Sequence, residues 1–141
     1  MINRKDVIRM KIPFPNMSSD LAVDSHMYIC RNGSYLGRQT EYIKCQSWKP
    51  YMLTSRDINH FVDEEPDINR NPFMKKTRID CDKVFCTSSL VYPDSMKTTR
   101  RPDVSEDVMQ KVESELLDDG YAQNNLNENE LRSLNPVLNM I

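Results

Sequence analysis

The segment His26-Met27-Tyr28-Ile29-Cys30-Arg31-Asn32-Gly33 joins a short apolar run to an Asn-Gly pair. Asn-Gly favours a tight turn, because both residues tolerate the positive φ angles that a two-residue hairpin connection requires. Strand-forming residues resume near Tyr35 and continue through Glu41-Tyr42-Ile43-Lys44-Cys45. The two runs predict a β-hairpin whose first strand covers about His26 to Arg31.

Two further segments, one on each side of this hairpin, have the pattern of β-strands. Asp6 to Ile12 alternates apolar and polar side chains in its second half, as a half-buried strand does. Pro13 ends this strand, because proline cannot donate a hydrogen bond to a central ladder. Thr77 to Cys86 predicts another strand with a change of register near Val84. The sequence therefore favours a mainly β fold.

The region between these strands predicts one short helix and one loop. Tyr51 to Val62 fits a short helix with Ser55 as its N-cap. Glu64 to Lys76 contains two prolines and many polar residues, so we expect a long exposed loop there. The acidic residues Asp63-Glu64-Glu65 and Asp67 fit either a metal cluster or a flexible acidic loop, and the pattern favours the loop.

A longer helix is predicted from Glu106 to Leu117. Ser105 is a suitable N-cap, and the acidic residues that follow it complement the positive end of the helix dipole. Gly120 supplies a stop signal. The apolar residues of this helix fall on one face: Val108, Met109, Val112 and Leu116. Beyond Gly120 the chain is polar and acidic, with a short docking helix predicted from about Asn129 to Leu134.

The length and composition indicate one small domain. The chain has 141 residues, of which 38% are hydrophobic and 28% charged, so we expect a modest core. The longest apolar run is only a few residues, which excludes a membrane span. The N-terminal segment has no apolar stretch of the kind found in signal peptides, which predicts a cytoplasmic protein.

The cysteine pattern agrees with a reducing compartment. The 4 cysteines have no paired spacing of the kind that structural zinc sites favour. A disulfide framework is typical of secreted domains, and the sequence has no secretory signal. We therefore expect buried, reduced thiols at Cys30, Cys45, Cys81 and Cys86.

The charges are distributed unevenly along the chain. Residues 1–102 carry 17 Lys and Arg against 12 Asp and Glu, whereas residues 103–141 carry 2 against 9. The first part therefore has a charge of +5 and the second a charge of −7, giving a net charge of −2. A basic body is compatible with a polyanionic partner, because phosphate contacts dominate nucleic-acid affinity.

Four short stretches, in this order, resemble sequences of the MazF/PemK (Kid-like) family of type II toxins. Asn3-Arg4-Lys5-Asp6-Val7 is similar to the family's opening strand. Ile43-Lys44-Cys45-Gln46-Ser47 is similar to the strand that ends in the family's Thr or Ser. The late strand and the closing helix correspond to residues 81–85 and 104–112. The resemblance implies a mainly β (α+β) fold, an SH3-like small β-barrel with a C-terminal helix. Residues 1–120 would form the barrel and closing helix, and residues 121–141 an acidic, polar tail.

The resemblance also implies a function. Members of the family cleave single-stranded RNA without a metal or cofactor, as homodimers restrained by an antitoxin protein. The family's Arg-Pro pair is replaced here by residues 23–27, Val-Asp-Ser-His-Met. His26 is therefore the candidate proton-transfer residue, because its ordinary pKa lies near neutrality. Ser47 matches the family's hydroxyl residue, and Arg38 is a candidate for stabilising the charged phosphate. The candidate RNA-binding residues are Arg31, Lys44, Trp48 and Lys49.

Other interpretations remain open at the level of sequence. The missing Arg-Pro pair favours an alternative function, a catalytically inactive MazF-like module that binds protein or nucleic acid. A structural or regulatory protein with no nucleic-acid role is a third class. His26 also fits an ordinary surface histidine, Lys44 and Arg38 the solvated face of a hairpin, and Trp48 a core position beside the predicted short helix.

Overall fold

The computed structural model describes residues 2–12, 25–32, 39–54, 57–118 and 120–140. It contains nine β-strands and two α-helices within these ranges, together with two short 3-10 helices at Pro50–Leu53 and Asp94–Met96. The strands are β1 Val7–Met10, β2 His26–Asn32, β3 Thr40–Ser47, β4 Phe61–Glu64, β5 Thr77–Asp80, β6 Lys83–Thr87, β7 Leu90–Val91, β8 Ala122–Asn125 and β9 Asn139–Met140. The helices are α1 Glu106–Asp118 and α2 Glu128–Leu134.

Seven strands form one sheet in the order β1-β2-β3-β5-β4, with β6 paired to β3 and β8 paired to β6. All of these pairs are antiparallel except β6 with β8. The predicted hairpin is confirmed as β2 and β3, with Ile29 opposite Ile43 and a register shift between Cys30 and Asn32. The predicted turn at Gly33 and the strand residues near Tyr35 lie outside the described residues.

The strand predicted from Thr77 to Cys86 is interrupted. Its two halves, β5 and β6, pair with the same strand β3, at Cys45↔Ile79 and at Tyr42↔Phe85. The break falls at Cys81 and Asp82, slightly before the register change expected near Val84. The interruption lets β3 pair with both segments while the chain bends between them.

The strand pairings of the described residues do not close the sheet. β1 lies at one end of the main path and β4 at the other. The edge of β1 is covered by the segment before α1, since the Val7 amide donates to the Pro102 carbonyl at 2.8 Å and the Thr98 amide to the Val7 carbonyl at 2.9 Å. The described part of the chain is therefore mainly antiparallel β structure with two α-helices, and the expected SH3-like barrel is not confirmed.

Both faces of the sheet are buried, because the central strands carry consecutive apolar side chains and successive side chains point to opposite faces. Ile29 and Ile43 belong to the core layer beneath α1, which Val108, Val112 and Leu116 complete. Tyr28 and Tyr42, their neighbours in sequence, belong to the layer on the other face. Leu131 and Leu138, from the C-terminal segment, are fully buried in that second layer.

The C-terminal predictions agree well with the structure. Helix α1 begins where expected, and the Val108 amide donates to Ser105 Oγ at 3.4 Å. Gly120 has φ +76°, a conformation that favours glycine after a helix. The second predicted helix is confirmed as α2, whose N-cap Asn127 accepts a hydrogen bond from the Glu130 amide at 3.1 Å. None of the helices in the described ranges is long and apolar enough to cross a membrane.

The prediction of a helix from Tyr51 to Val62 is wrong. The chain forms only the 3-10 turn Pro50–Leu53, and β4 begins at Phe61. Ser55, the expected N-cap, lies outside the described residues. Pairing with β5 overrides the local helical pattern, because the register Val62↔Ile79 buries both side chains in the core beneath α1.

The segment from Glu64 to Lys76 is not an exposed loop throughout. Glu64 belongs to β4, and both Asn71 and Phe73 are buried. Asn71 explains this burial, because its side chain donates to the Glu65 carbonyl at 3.0 Å and accepts from the Phe73 amide at 3.1 Å. These bonds satisfy backbone groups that a buried loop would otherwise leave unpaired.

All four cysteines lie in described parts of the chain, and each is buried and unpaired, as expected. Burial raises the pKa of Cys86 to about 11 and that of Cys81 to about 12. Neutral thiols of this kind behave as small apolar core groups.

Candidate functional site

A cleft of about 230 Å³ opens at the end of the sheet where β2 begins and β3 ends, and we call it the first cleft. It brings together His26 and Ser47, two of the residues that the sequence nominates for catalysis. Its lining comes from strands β1, β2, β3 and β5 and from the segments just before β2 and β5: Arg9, Ser25, His26, Met27, Cys45, Gln46, Ser47, Phe73, Met74, Lys75 and Thr77.

The strand registers explain this convergence. Residue His26 pairs with Met10 of β1, so that Arg9 lies beside the start of β2. The antiparallel pairing of β2 with β3 places the first residues of one strand next to the last residues of the other. Ser47 in turn pairs with Thr77, whose preceding residues form the remaining wall. Residues from distant parts of the sequence therefore meet in one cleft.

The first cleft has a positive electrostatic character. Arg9 and Lys75 contribute two cations to its lining, and both side chains are exposed. No Asp or Glu is present among the described residues that line it. A concave site with cations and no opposing carboxylate concentrates positive potential and favours anionic ligands. Within it, His26 is suited to proton transfer and Ser47 to hydrogen bonding with a phosphate oxygen.

Arg31, a candidate RNA-binding residue, lies elsewhere. It occupies the far end of β2 from His26, roughly 17 Å away at the usual rise of a strand. Its guanidinium donates to Glu41 at 3.2 Å and to Glu113 at 3.4 Å, and also contacts the hydroxyl of Tyr121. The structure does not bring it to the first cleft. Arg38, the third catalytic candidate, lies outside the described residues.

Trp48 and Lys49 follow Ser47 directly, beside the first cleft. Trp48 is half-buried, and the Lys76 ammonium lies 4.6 Å from the centroid of its ring. The Trp48 amide also donates to the Lys76 carbonyl at 2.8 Å. Lys49 is exposed. These three residues extend the positive surface away from the cleft, with an aromatic ring among the cations.

Lys44 lines a second cleft, of about 200 Å³. Because Lys44 precedes Cys45 on the same strand, its side chain points to the opposite face of the sheet from the first cleft. Burial lowers the pKa of Lys44, and the nearby charge of Lys83 lowers it further. Lys44 therefore lies on the opposite face from Ser47 and lines a different cleft from His26, although Gln46 lines both clefts.

The acidic segment around Asp63 to Asp67 is occupied by ion pairs. Asp63 receives two hydrogen bonds from Arg78, both of 2.8 Å. Glu64 receives bonds from Arg70 at 2.9 and 3.2 Å. Among the described residues, no three His, Cys, Asp or Glu side chains are grouped so as to hold a metal ion. The first two carboxylates of this segment connect elements of the fold.

Sequence reasoning missed Arg9 and Lys75. The alternation from Asp6 to Ile12 marks Arg9 as a polar position on a strand. Its place beside the start of β2, however, depends on the pairing of β1 with β2. Lys75 lies in a segment expected to be an exposed loop, and only the buried Phe73 nearby fixes its position against the sheet. Neither placement follows from local pattern alone.

The fold and this cleft define a small α+β protein with a basic cleft at one end of an antiparallel sheet. No protein-family model, curated protein or solved structure matches the chain. Its resemblance to the MazF/PemK family therefore stays a prediction.

Proposed function

We propose that the protein is a metal-independent endoribonuclease of the MazF/PemK type that acts on single-stranded RNA in the first cleft. One observation carries the proposal: His26 and Ser47, nominated independently by the sequence, line one cleft with Arg9 and Lys75 and without a carboxylate. An SH3-like barrel, a homodimer, an antitoxin partner and a cytoplasmic location belong to the same proposal.

The residues of the first cleft suit transesterification of RNA. The 2′-hydroxyl attacks the adjacent phosphorus and transfers its proton to His26, while the bond to the 5′-oxygen breaks. The leaving oxygen takes a proton from solvent, which leaves a 2′,3′-cyclic phosphate and a free 5′-hydroxyl. Arg9 and Lys75 offset the charge that develops on the phosphorane, and the Ser47 hydroxyl donates to a phosphate oxygen.

The test is cleavage of a long single-stranded RNA in EDTA by the wild type, His26→Ala, Ser47→Ala and Lys111→Ala. Lys111 is exposed on α1, away from the first cleft, and serves as the control. We expect discrete fragments from the wild type and from Lys111→Ala. General acid–base catalysis contributes roughly 10²–10⁴-fold, so His26→Ala should lose at least about a hundredfold in rate. Equal cleavage by the wild type and His26→Ala would remove His26 from the mechanism. Intact RNA with all four proteins would overturn the proposal that the protein is an endoribonuclease.

A second candidate function is a module that binds RNA without cutting it. Residues 23–27 stand where the toxins that the sequence resembles carry Arg-Pro, and the cations at Arg9, Lys75 and Lys76 serve binding as well as catalysis. The same samples discriminate the two functions. Intact RNA that is nevertheless retained by the protein, with an affinity that falls steeply with salt, would favour the binding module.

A further inference from the structure

The second cleft combines aromatic walls with opposite charges. Tyr51 stands at its mouth with 59% of its surface exposed, whereas Phe85 is buried at its base. Three cations, Lys44, Arg78 and Lys83, line it together with the carboxylates of Asp57 and Asp80. This lining suits a ligand that has a flat apolar surface, an anionic group and a hydrogen-bond donor.

The aromatic mouth is held by a fixed framework. Tyr51 lies on the 3-10 turn Pro50–Leu53, whose Met52 carbonyl accepts a hydrogen bond from Arg78 at 3.2 Å. Arg78 is itself fixed by its two bonds to Asp63 and by stacking on Phe61, with 3.6 Å from guanidinium carbon to ring centroid. Because these contacts hold the turn, the backbone that carries Tyr51 is fixed before any ligand arrives, which lowers the entropic cost of binding.

Asp80 supplies an acceptor deep in the cleft. The residue is only 5% exposed, and its Oδ1 accepts a hydrogen bond from the Asp82 amide at 2.9 Å. No donor among the described residues reaches Oδ2. Burial raises the pKa of Asp80, against the opposing effects of Lys83 and Lys44. Among the described residues the one buried side-chain oxygen without a partner is that of Tyr28, so Asp80 Oδ2 stays accessible to solvent and to a ligand. A carboxylate in a cleft whose pKa is perturbed by its surroundings is a candidate for contact with a ligand.

We propose that the second cleft binds a nucleotide whose base carries an amino group, with the base stacked on Tyr51 and its amino group donating to Asp80. Lys83 and Lys44 would contact the phosphate. Aromatic rings stack on bases of any sequence, whereas a carboxylate accepts from the amino group of cytosine and not from the carbonyl oxygen of uracil. Inorganic phosphate alone fits less well, because the carboxylate of Asp80 repels it and it has no ring that could stack on Tyr51.

The nucleotide could be free or part of an RNA strand. Gln46 lines both clefts, so a strand that occupies the first cleft need pass only the end of β3 to reach the second. In that form the inference rests on the proposed function, and the second cleft selects the base while the first holds the scissile phosphate.

Calorimetric titration with CMP, UMP and inorganic phosphate tests the proposal, since CMP and UMP differ only at positions 3 and 4 of the base, on the edge that would face Asp80. We expect CMP to bind at least about fivefold more tightly than UMP, the lower limit for one good base contact. Tyr51→Ala should weaken CMP binding at least about fivefold, the lower limit for loss of one stacking partner. Asp80→Asn should remove the preference for CMP, because an amide can donate to the carbonyl of UMP.

Leu53→Ala is the matched control for Tyr51→Ala. Leu53 lies on the same turn, is 76% exposed and does not line the second cleft, so its loss should leave CMP binding unchanged. Equal affinities for CMP and UMP, or phosphate binding as tight as CMP, would overturn the proposal. So would CMP binding that Tyr51→Ala leaves intact, or no CMP binding at millimolar concentration.

Oligonucleotides separate this proposal from the proposed function. A 2′-O-methyl oligocytidine that binds more tightly than CMP would identify an RNA strand as the ligand, whereas equal affinity would identify the free nucleotide. CMP binding without any RNA cleavage would leave the second cleft standing and overturn the ribonuclease. RNA cleavage without CMP binding would do the reverse.

Discussion

Arg31 Nε lies 3.4 Å from Glu113 Oε2, and this contact ties strand β2 to helix α1. The side chain of Arg31 is only 17% exposed and also pairs with Glu41 at 3.2 Å on the neighbouring strand. Its guanidinium lies 4.9 Å from the ring centroid of Tyr121, just before β8. One cation therefore connects four elements of the fold.

We expect Arg31→Ala to lower the free energy of unfolding by roughly 1–3 kcal/mol, because it leaves two carboxylates without their shared partner. Urea denaturation followed by circular dichroism measures the change. Arg9→Ala, which removes an exposed arginine of the first cleft, should change stability by less than about 0.5 kcal/mol. If Arg31→Ala instead left stability unchanged and weakened RNA binding, the result would support the contact between Arg31 and RNA that the sequence predicts.

The elements that could be predicted from sequence have strong local signals. The β2–β3 hairpin combines an Asn-Gly pair with two strand-forming runs, and α1 combines the N-cap Ser105 with an apolar face and the terminal Gly120. His26 could be proposed as a candidate because its ordinary pKa lies near neutrality, and Ser47 because it matches the hydroxyl residue of the family that the sequence resembles. In each case residues close in sequence specify the outcome.

The remainder depends on tertiary contacts. β4 has a pattern that fits a helix, but pairing with β5 holds it extended. Asn71 has no sequence pattern that distinguishes it from a loop residue, yet its hydrogen bonds bury the segment that positions Lys75. The second cleft was missed because Tyr51, Lys44 and Asp80 come from three separate elements.

Asp82 is expected to contribute stability that depends on pH. Burial by itself would raise the pKa of Asp82, but hydrogen bonds from the Asn59 and His60 amides and from the His60 ring outweigh burial and lower it. A lowered pKa in the folded state stabilises the protein above the ordinary value of 3.8. That contribution is lost as pH falls through the folded-state pKa.

Asp82→Asn should therefore cost roughly 1–3 kcal/mol at neutral pH, and less as the wild type becomes protonated in acid. Thermal unfolding of both proteins between neutral and strongly acidic pH measures the difference. Glu65→Gln, at a mostly exposed side chain, is the control and should show no comparable difference. A cost that stays constant down to the lowest pH would show that the charge of Asp82 is not responsible.

Asp80 should have the opposite dependence. Its pKa is raised chiefly by burial, so between 3.8 and the folded-state pKa the folded protein holds more protons than the unfolded chain. Stability then falls as pH rises through that interval. Asp80→Asn removes the buried charge and keeps an acceptor for the Asp82 amide.

We therefore expect Asp80→Asn to unfold at a higher temperature than the wild type at neutral pH, with a gain of roughly 0.5–2 kcal/mol. Below pH 3.8 the two proteins should converge, because the wild-type carboxyl is then neutral. If Asp80→Asn is more stable and has lost nucleotide selectivity, then the carboxylate of Asp80 contributes to nucleotide binding at a cost to the stability of the fold. A destabilised variant would show that the carboxylate supports the fold.

The cations of the first cleft make a prediction about salt. If Arg9 and Lys75 each neutralise one phosphate of a single strand, each substitution by alanine should reduce the slope of log affinity against log salt concentration by roughly 0.7, and the pair by about twice that. Fluorescence anisotropy with an uncleavable RNA of fixed length, titrated at several salt concentrations, measures these slopes. Lys111→Ala is the matched control, because it removes the same charge from an exposed position on α1.

When Arg9 or Lys75 is replaced, affinity should fall almost equally for RNAs of different sequence, since phosphate contacts carry no base information. Slopes that respond to Lys111→Ala as much as to Lys75→Ala would mean that RNA senses only the overall charge of the protein and not this cleft.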